Sequence, residues 1–168
     1  MALHLVSCIG YGDPMKKGDL APDFDLPGDD GSIISLSQEL EHGPVVLFFY
    51  PRAMTTGCTK ESCHFRDLGK EFSELGARRI GISADPIDRQ ARFKAKHNFD
   101  YPLLSDTDRK VASLYGVKRP GPIFNKRTTF VIGTNRRVLA VIGSELNMDR
   151  HADEALEILR STRSKEVS

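Results

Sequence analysis

Cys58 and Cys63 lie five residues apart in the segment Gly57-Cys58-Thr59-Lys60-Glu61-Ser62-Cys63. A thiol becomes a strong nucleophile only as its thiolate, and the start of a helix favours that form through unpaired N–H groups and the positive end of the helix dipole. The sequence predicts such a helix from about Gly57 to Leu75, because Phe65, Leu68, Phe72 and Leu75 recur at helical spacings. Cys58 then falls in the first turn, seven residues before Phe65 and on nearly the same face. A thiolate placed there is suited to attack an electrophile such as a peroxide oxygen. Cys63 should point about 140° away from Cys58, onto the face opposite the apolar stripe. In an ideal helix their Cα atoms would stand roughly 8–9 Å apart, whereas a disulfide needs less than about 7 Å. The two cysteines therefore cannot bond while the helix is intact, and pairing them is expected to melt the segment from Gly57 to Arg66.

The elements that must hold this helix follow from short hydrophobic runs and turn signals. Phe24–Leu26 and Ile33–Ser35 flank Pro27-Gly28-Asp29-Asp30-Gly31 and read as an N-terminal hairpin. Val45–Tyr50 is a continuous apolar run rich in β-branched and aromatic residues, so it reads as a buried central strand that Pro51 ends. Ile80–Ser83 and Leu103–Leu104 read as further strands. Pro86–His97 and Asp108–Tyr115 read as helices, the first opening with proline. Thr128–Ile132 and Val138–Ile142 form a closing strand pair, followed by a helix from Asn147 or Asp149 to about Arg160 and a polar tail after Ser161. Alternating strands and helices give an α/β fold with a mixed central sheet flanked by helices, in an order that resembles the thioredoxin-like arrangement.

Composition narrows the surroundings. The 168 residues suffice for one domain, here 15–161, with 1–14 as an N-terminal extension and 162–168 as the tail. Met1–Pro14 lacks the charged start and unbroken apolar core of a secretory signal. Twenty-four basic and 23 acidic side chains are well mixed, for a net charge of +1, which leaves no basic field to hold nucleic acid. No apolar run approaches the roughly 18 residues that span a bilayer. Three cysteines, Cys8, Cys58 and Cys63, are an odd number and argue against a secreted disulfide scaffold, so a cytoplasmic setting with reduced thiols is expected.

The segment from Phe49 to Cys63 resembles a peroxiredoxin active site. The pattern Pro-x-x-x-Thr-x-x-Cys is filled by Pro51, Thr55 and Cys58, and a second cysteine five residues later resembles the Q-type, or bacterioferritin comigratory, branch. Gly18–Phe24 and Gly81–Asp85 are also similar to that family, and the resemblance runs from about Lys17 to Leu159. It implies a thioredoxin-like fold and a thiol-dependent peroxidase that needs no cofactor. Cys58 would be the peroxidatic cysteine, oxidised to a sulfenic acid by hydrogen peroxide or an organic hydroperoxide. Cys63 would be the resolving cysteine, closing a disulfide within one chain that a thioredoxin-like reductant reopens. Thr55 would hold its hydroxyl near the sulfur and the peroxide, Pro51 would shield the sulfur from water, and Arg127 would be the active-site arginine. An intrachain disulfide does not require an oligomer, so a monomer is expected, with a dimer as the alternative. The sequence departs from the family where Thr56 stands in a place often held by proline, and at Ala53-Met54, which replaces a more polar pair. Cys8 has no counterpart.

Two other chemistries are open to these residues. Cys58, Cys63 and His64 could supply three metal ligands, but His4, His42, His97 and His151 are scattered and complete no zinc-like spacing. A dithiol oxidoreductase would use C-x-x-C, where the sulfurs already meet, rather than four intervening residues. Phe49, Met54 and Phe124 are expected to line an apolar mouth suited to organic hydroperoxides.

Overall fold

The computed structural model describes residues 13–167; Cys8 and most of the N-terminal extension lie outside them. In chain order the elements are β1 (Asp25–Pro27), β2 (Ile33–Ser35), α1 (Leu36–Leu40), β3 (Val45–Phe49), α2 (Thr56–Asp67), α3 (Gly69–Glu74), β4 (Arg78–Ser83), α4 (Ile87–His97), β5 (Leu103–Ser105), α5 (Lys110–Leu114), β6 (Thr128–Ile132), β7 (Val138–Gly143) and α6 (Asp149–Val167). β1 and β2 form an antiparallel hairpin. The other five strands form one sheet in the order β5-β4-β3-β6-β7, with β3, β4 and β5 parallel and β6 and β7 antiparallel to their neighbours. The α/β thioredoxin-like architecture with a mixed central sheet and an N-terminal hairpin is thus present.

β3 lies in the middle of the sheet, which accounts for its unbroken apolar sequence. Successive side chains of a strand point to opposite faces, and both faces here are covered. Val45, Leu47 and Phe49 pack on one side with Ile80, Ile82, Phe130, Leu36 and Tyr115. Val46, Phe48 and Tyr50 pack on the other with Cys58, Phe65, Phe72, Phe93 and Leu156. α2, α4 and α6 therefore cover one face, and α1, α5 and the hairpin the other.

Four elements differ from the expectation. The helix after Cys58 is not continuous to Leu75 but breaks at Leu68 into α2 and α3. α1, opened by Ser35 whose Oγ accepts from Gln38 N, was not foreseen; at five residues it is too short to show a period. α5 begins at Lys110 because Arg109 is left-handed at φ 58°, while the Asp106 carboxylate receives the Val111 and Ala112 amides. α6 continues through the expected tail to Val167.

Candidate active site

The register of the sheet brings the site together. Phe49 on β3 pairs with Thr128 on β6, so Arg127, just before β6, stands at the edge where β3 hands over to the loop 51–55. α2 starts at the end of that loop, with Thr55 as its N-cap residue. Three segments distant in sequence thus meet around the Cys58 sulfur.

Cys58 is fully buried in the first turn of α2. Arg127 Nη2 donates to its Sγ at 3.3 Å, and Arg127 Nη1 donates to Glu61 Oε2 at 2.5 Å. Arg127 and Glu61 are themselves buried, at 6% and 0% exposure. One guanidinium therefore bridges the sulfur and a carboxylate. Burial pushes the Glu61 carboxyl up to about 7, against the pull of Arg127. The backbone amide of Arg127 is fixed by Glu145 Oε1 at 3.0 Å, and Arg119 pairs with the same oxygen at 2.8 Å. Gly57 permits the close packing: a Cβ there would lie 3.2 Å from Arg127 Nη2 and 3.3 Å from Met148 Cε.

The loop before the helix is held from β4 and α4. Asp85 Oδ2 accepts from Ala53 N at 2.7 Å and from Ser83 Oγ at 2.6 Å. Arg89 lies 3.0 Å from Asp85 Oδ1 and donates to the Ala53 carbonyl at 2.9 Å. Between these anchors Met54 takes a left-handed backbone, φ 66°, which a side chain other than glycine or asparagine rarely adopts. Pro51 is half-buried at the exit of β3. Thr55 is exposed, and its hydroxyl donates to the Arg52 carbonyl at 2.8 Å. That contact fixes the loop and commits the proton of the hydroxyl to the Arg52 carbonyl.

The structure thus brings Cys58, Arg127, Pro51 and Thr55 to one end of the sheet. Cys63 sits one turn further along α2 as a free thiol, like Cys58. It is not on a fully solvated face, since it is half-buried and packs against the same apolar cluster as Cys58; burial raises its thiol above the ordinary value. Phe49 does not line the mouth; it is wholly buried on the other face of the sheet. Phe124 is half exposed and lies under the Arg52 guanidinium, 5.9 Å from its centre, and Met54 is 37% exposed. Among the described residues, no group of three or more His, Cys, Asp or Glu side chains is arranged to hold a metal ion. No helix among them is long and apolar enough to cross a membrane.

Sequence reasoning missed Glu61, Asp85 and His151. Glu61 carried a signal: three residues after Cys58, it falls on nearly the same inward helical face, an unusual place for a lone acid. Asp85 belongs to the stretch Gly81–Asp85 but is tied to the site only through tertiary bonds. His151 is fully buried in α6; its Nδ1 is 2.9 Å from Thr129 Oγ1 and its Nε2 donates to the Ser144 carbonyl at 2.8 Å. It anchors the loop that carries Glu145 and Met148, and burial lowers its pKa.

A thioredoxin-like sheet with a buried helix-terminal cysteine beside an arginine defines a thiol peroxidase of the peroxiredoxin class. Residues 17–141 match the AhpC/TSA family, and the chain belongs to that family, in its bacterioferritin comigratory, or peroxiredoxin Q, branch. Peroxiredoxin Bcp of Bacillus subtilis is 37% identical over 157 residues, covering 90% of this chain and 99% of that protein. The crystal structure of peroxidoxin BcpB from Mycobacterium tuberculosis is similar with a TM-score of 0.85 at 58% identity, covering 88% of this chain and 97% of that one. The bacterioferritin comigratory protein of Xanthomonas campestris, solved in a study of its alkyl peroxide reduction, has a TM-score of 0.80 at 27% identity, covering 89% and 99%. The chain is accordingly an oxidoreductase that reduces peroxides with thiols.

Proposed function

We propose that Cys58 is the peroxidatic and Cys63 the resolving cysteine of a cycle completed within one chain. The Cys58 thiolate attacks one oxygen of a hydroperoxide, the O–O bond breaks, and the alkoxide or hydroxide leaves and takes up a proton. Cys58 is then a sulfenic acid. The Cys63 thiol condenses with it, forming the disulfide and releasing water. A thioredoxin-like dithiol returns both to thiols by exchange, and the electrons it gives are those that reduced the peroxide. The observation that carries the reading is the 3.3 Å contact between Arg127 and the sulfur in a site closed by Glu61. A guanidinium keeps its charge in such a place. It presents donors to the region where negative charge develops on the leaving oxygen, a preorganised stabilisation worth roughly 2.7–4 kcal/mol per donor in comparable sites.

Pro51 limits water at the sulfur, and Thr55 shapes the loop through the Arg52 carbonyl. The exposed Phe124 and Met54 offer organic hydroperoxides an apolar surface that hydrogen peroxide would not need. The setting we infer is the cytoplasm, where a reductant of this kind keeps thiols reduced, and the active unit is a monomer.

Peroxide consumption with mass mapping of the products tests the reading. Cys58→Ser is expected to abolish peroxide reduction. Cys63→Ser is expected to keep one turnover, leaving a sulfenic acid, but to stop cycling driven by thioredoxin. Normal cycling by the Cys63 variant would sink the assignment of the resolver.

A further inference from the structure

The two cysteines lie on halves of α2 that are fastened differently. The first half, through Glu61, packs Cys58 into the apolar cluster, but its side-chain hydrogen bonds to the rest of the protein run through Arg127, to Cys58 and Glu61. The contact of Lys60 with Asp149, at 3.9 Å on the surface, adds little. One of the two Arg127 bonds depends on the Cys58 sulfur being reduced.

The second half is held by bonds that oxidation does not touch. Tyr101, 3% exposed, donates its hydroxyl to the Ser62 carbonyl at 2.6 Å. Arg79 Nη1 donates to the Phe65 carbonyl at 2.6 Å, at the break before α3. Arg79 is in turn clasped by Asp100 at 2.6 and 2.9 Å and lies 5.0 Å from the Tyr101 ring centre. Gly69 makes room for this pair, since a Cβ there would stand 2.9 Å from Asp100 Oδ2. Arg66 reaches the His97 carbonyl at 2.7 Å, and His64 the Asp153 carboxylate at 2.8 Å. The buried Phe65 ring stacks on Phe48 with centroids 4.3 Å apart.

A single helical turn is not stable alone in water, but one with its carbonyls bonded from outside and its ring buried can persist. Resting on the cysteine roles proposed above, we infer that Tyr101 and Arg79 latch the turn from Ser62 to Leu68, so that melting stops short of Arg66, contrary to the expectation from helix geometry alone, and Cys58 travels to a stationary Cys63 when the disulfide forms. Tyr101 is then a positioning residue for the resolving cysteine. The latch has a chemical consequence. The Cys58 sulfenic acid either meets the Cys63 thiol and loses water, or takes a second oxygen from another hydroperoxide, which leaves as water or alcohol, and becomes a sulfinic acid. A fixed Cys63 favours the first route.

Amide hydrogen exchange on the full chain, reduced and oxidised with the thiol oxidant diamide, tests this, with Tyr101→Phe as the variant that keeps the ring. In the oxidised wild type, the amides of residues 60–63 are expected to lose their protection, while those of 66–68 keep it. Tyr101→Phe should speed exchange at 66–68 about fivefold, the equivalent of one buried hydrogen bond. At high peroxide it should also raise the ratio of sulfinic acid to disulfide about twofold or more, with the rate of the first oxidation unchanged. Equal loss of protection across 60–68 in the wild type would overturn the latch, as would a variant identical to wild type in both readouts. A bond formed by diamide but not by peroxide would overturn the proposed cycle of Cys58 and Cys63 and leave the latch judged on exchange alone. If neither oxidant joins Cys58 to Cys63, both fall.

Discussion

Glu61 is the residue whose chemistry changes most between sequence and structure. Its carboxyl is fully buried beside Arg127 and pushed up to about 7, mainly by burial, from an ordinary value of 4.5. The folded state therefore holds a proton that the unfolded chain releases between about pH 4.5 and 7. Stability from this group is fully present below pH 4.5 and is lost as pH rises through 7. The stability of wild type minus that of Glu61→Gln, from urea titrations at several pH values, should fall by up to about 3 kcal/mol between pH 4.5 and 8. A flat difference would show that Arg127 keeps Glu61 ionised throughout. At this scale the cysteines were legible because type, spacing and place at a helix start are all local. Arg127 had no local signal; its role came through family resemblance, and only the pairing of Phe49 with Thr128 shows how a residue 69 positions away reaches the sulfur.

At the scale of elements, the strands were readable because covered sheet faces force continuous apolar runs, and the buried strands β3, β4 and β6 fell close to their expected bounds. The break at Leu68 was not readable. The inward stripe Phe65, Leu68, Phe72, Leu75 continues across it, and the Phe65 carbonyl at the break is met by Arg79, a partner that sequence periodicity cannot supply. The loop 51–55 was likewise opaque, because it is positioned from outside itself. Asp85 and Arg89 receive and donate to the backbone of Ala53, and a misplacement of about 1 Å near reacting atoms can cost about a hundredfold in rate. Asp85→Asn removes the charge that pairs with Arg89 and weakens the grip on Ala53. It is expected to lower kcat/KM for peroxide roughly ten- to hundredfold, with the far-ultraviolet circular dichroism unchanged. Unaltered kinetics would mean that Pro51 and the Thr55–Arg52 bond hold the loop without help.

For the molecule as a whole, the first turn of α2 links catalysis to stability. A disulfide ordinarily stabilises a protein by restricting its unfolded chain, but the loop between Cys58 and Cys63 is so short that the gain is only about 2 kcal/mol. Against it stand losses in the folded state. To reach Cys63 in the proposed disulfide, Cys58 would have to leave its fully buried site, break the contact from Arg127 to the sulfur and give up the helical hydrogen bonds of the first turns. A hydrogen bond involving a charged group is alone worth about 1.5–3 kcal/mol, and each buried polar atom that loses its partner adds roughly 1–3 more. The losses outweigh the gain, so the oxidised protein should be less stable than the reduced one, by roughly 0.5–4 kcal/mol on these terms. For a chain of this length that is a fall in Tm of about 1–16 °C. Thermal melts of the reduced protein and of protein oxidised with one equivalent of diamide, with the Cys58–Cys63 bond confirmed by mass, would measure it. An oxidised form that melts several degrees higher would mean that the helix opens without losing the contacts around Arg127. The opposite result would explain how reduction is driven to completion: a thioredoxin-like dithiol would act on a strained, partly opened state, and folding of α2 around Cys58 would favour the return to the thiols.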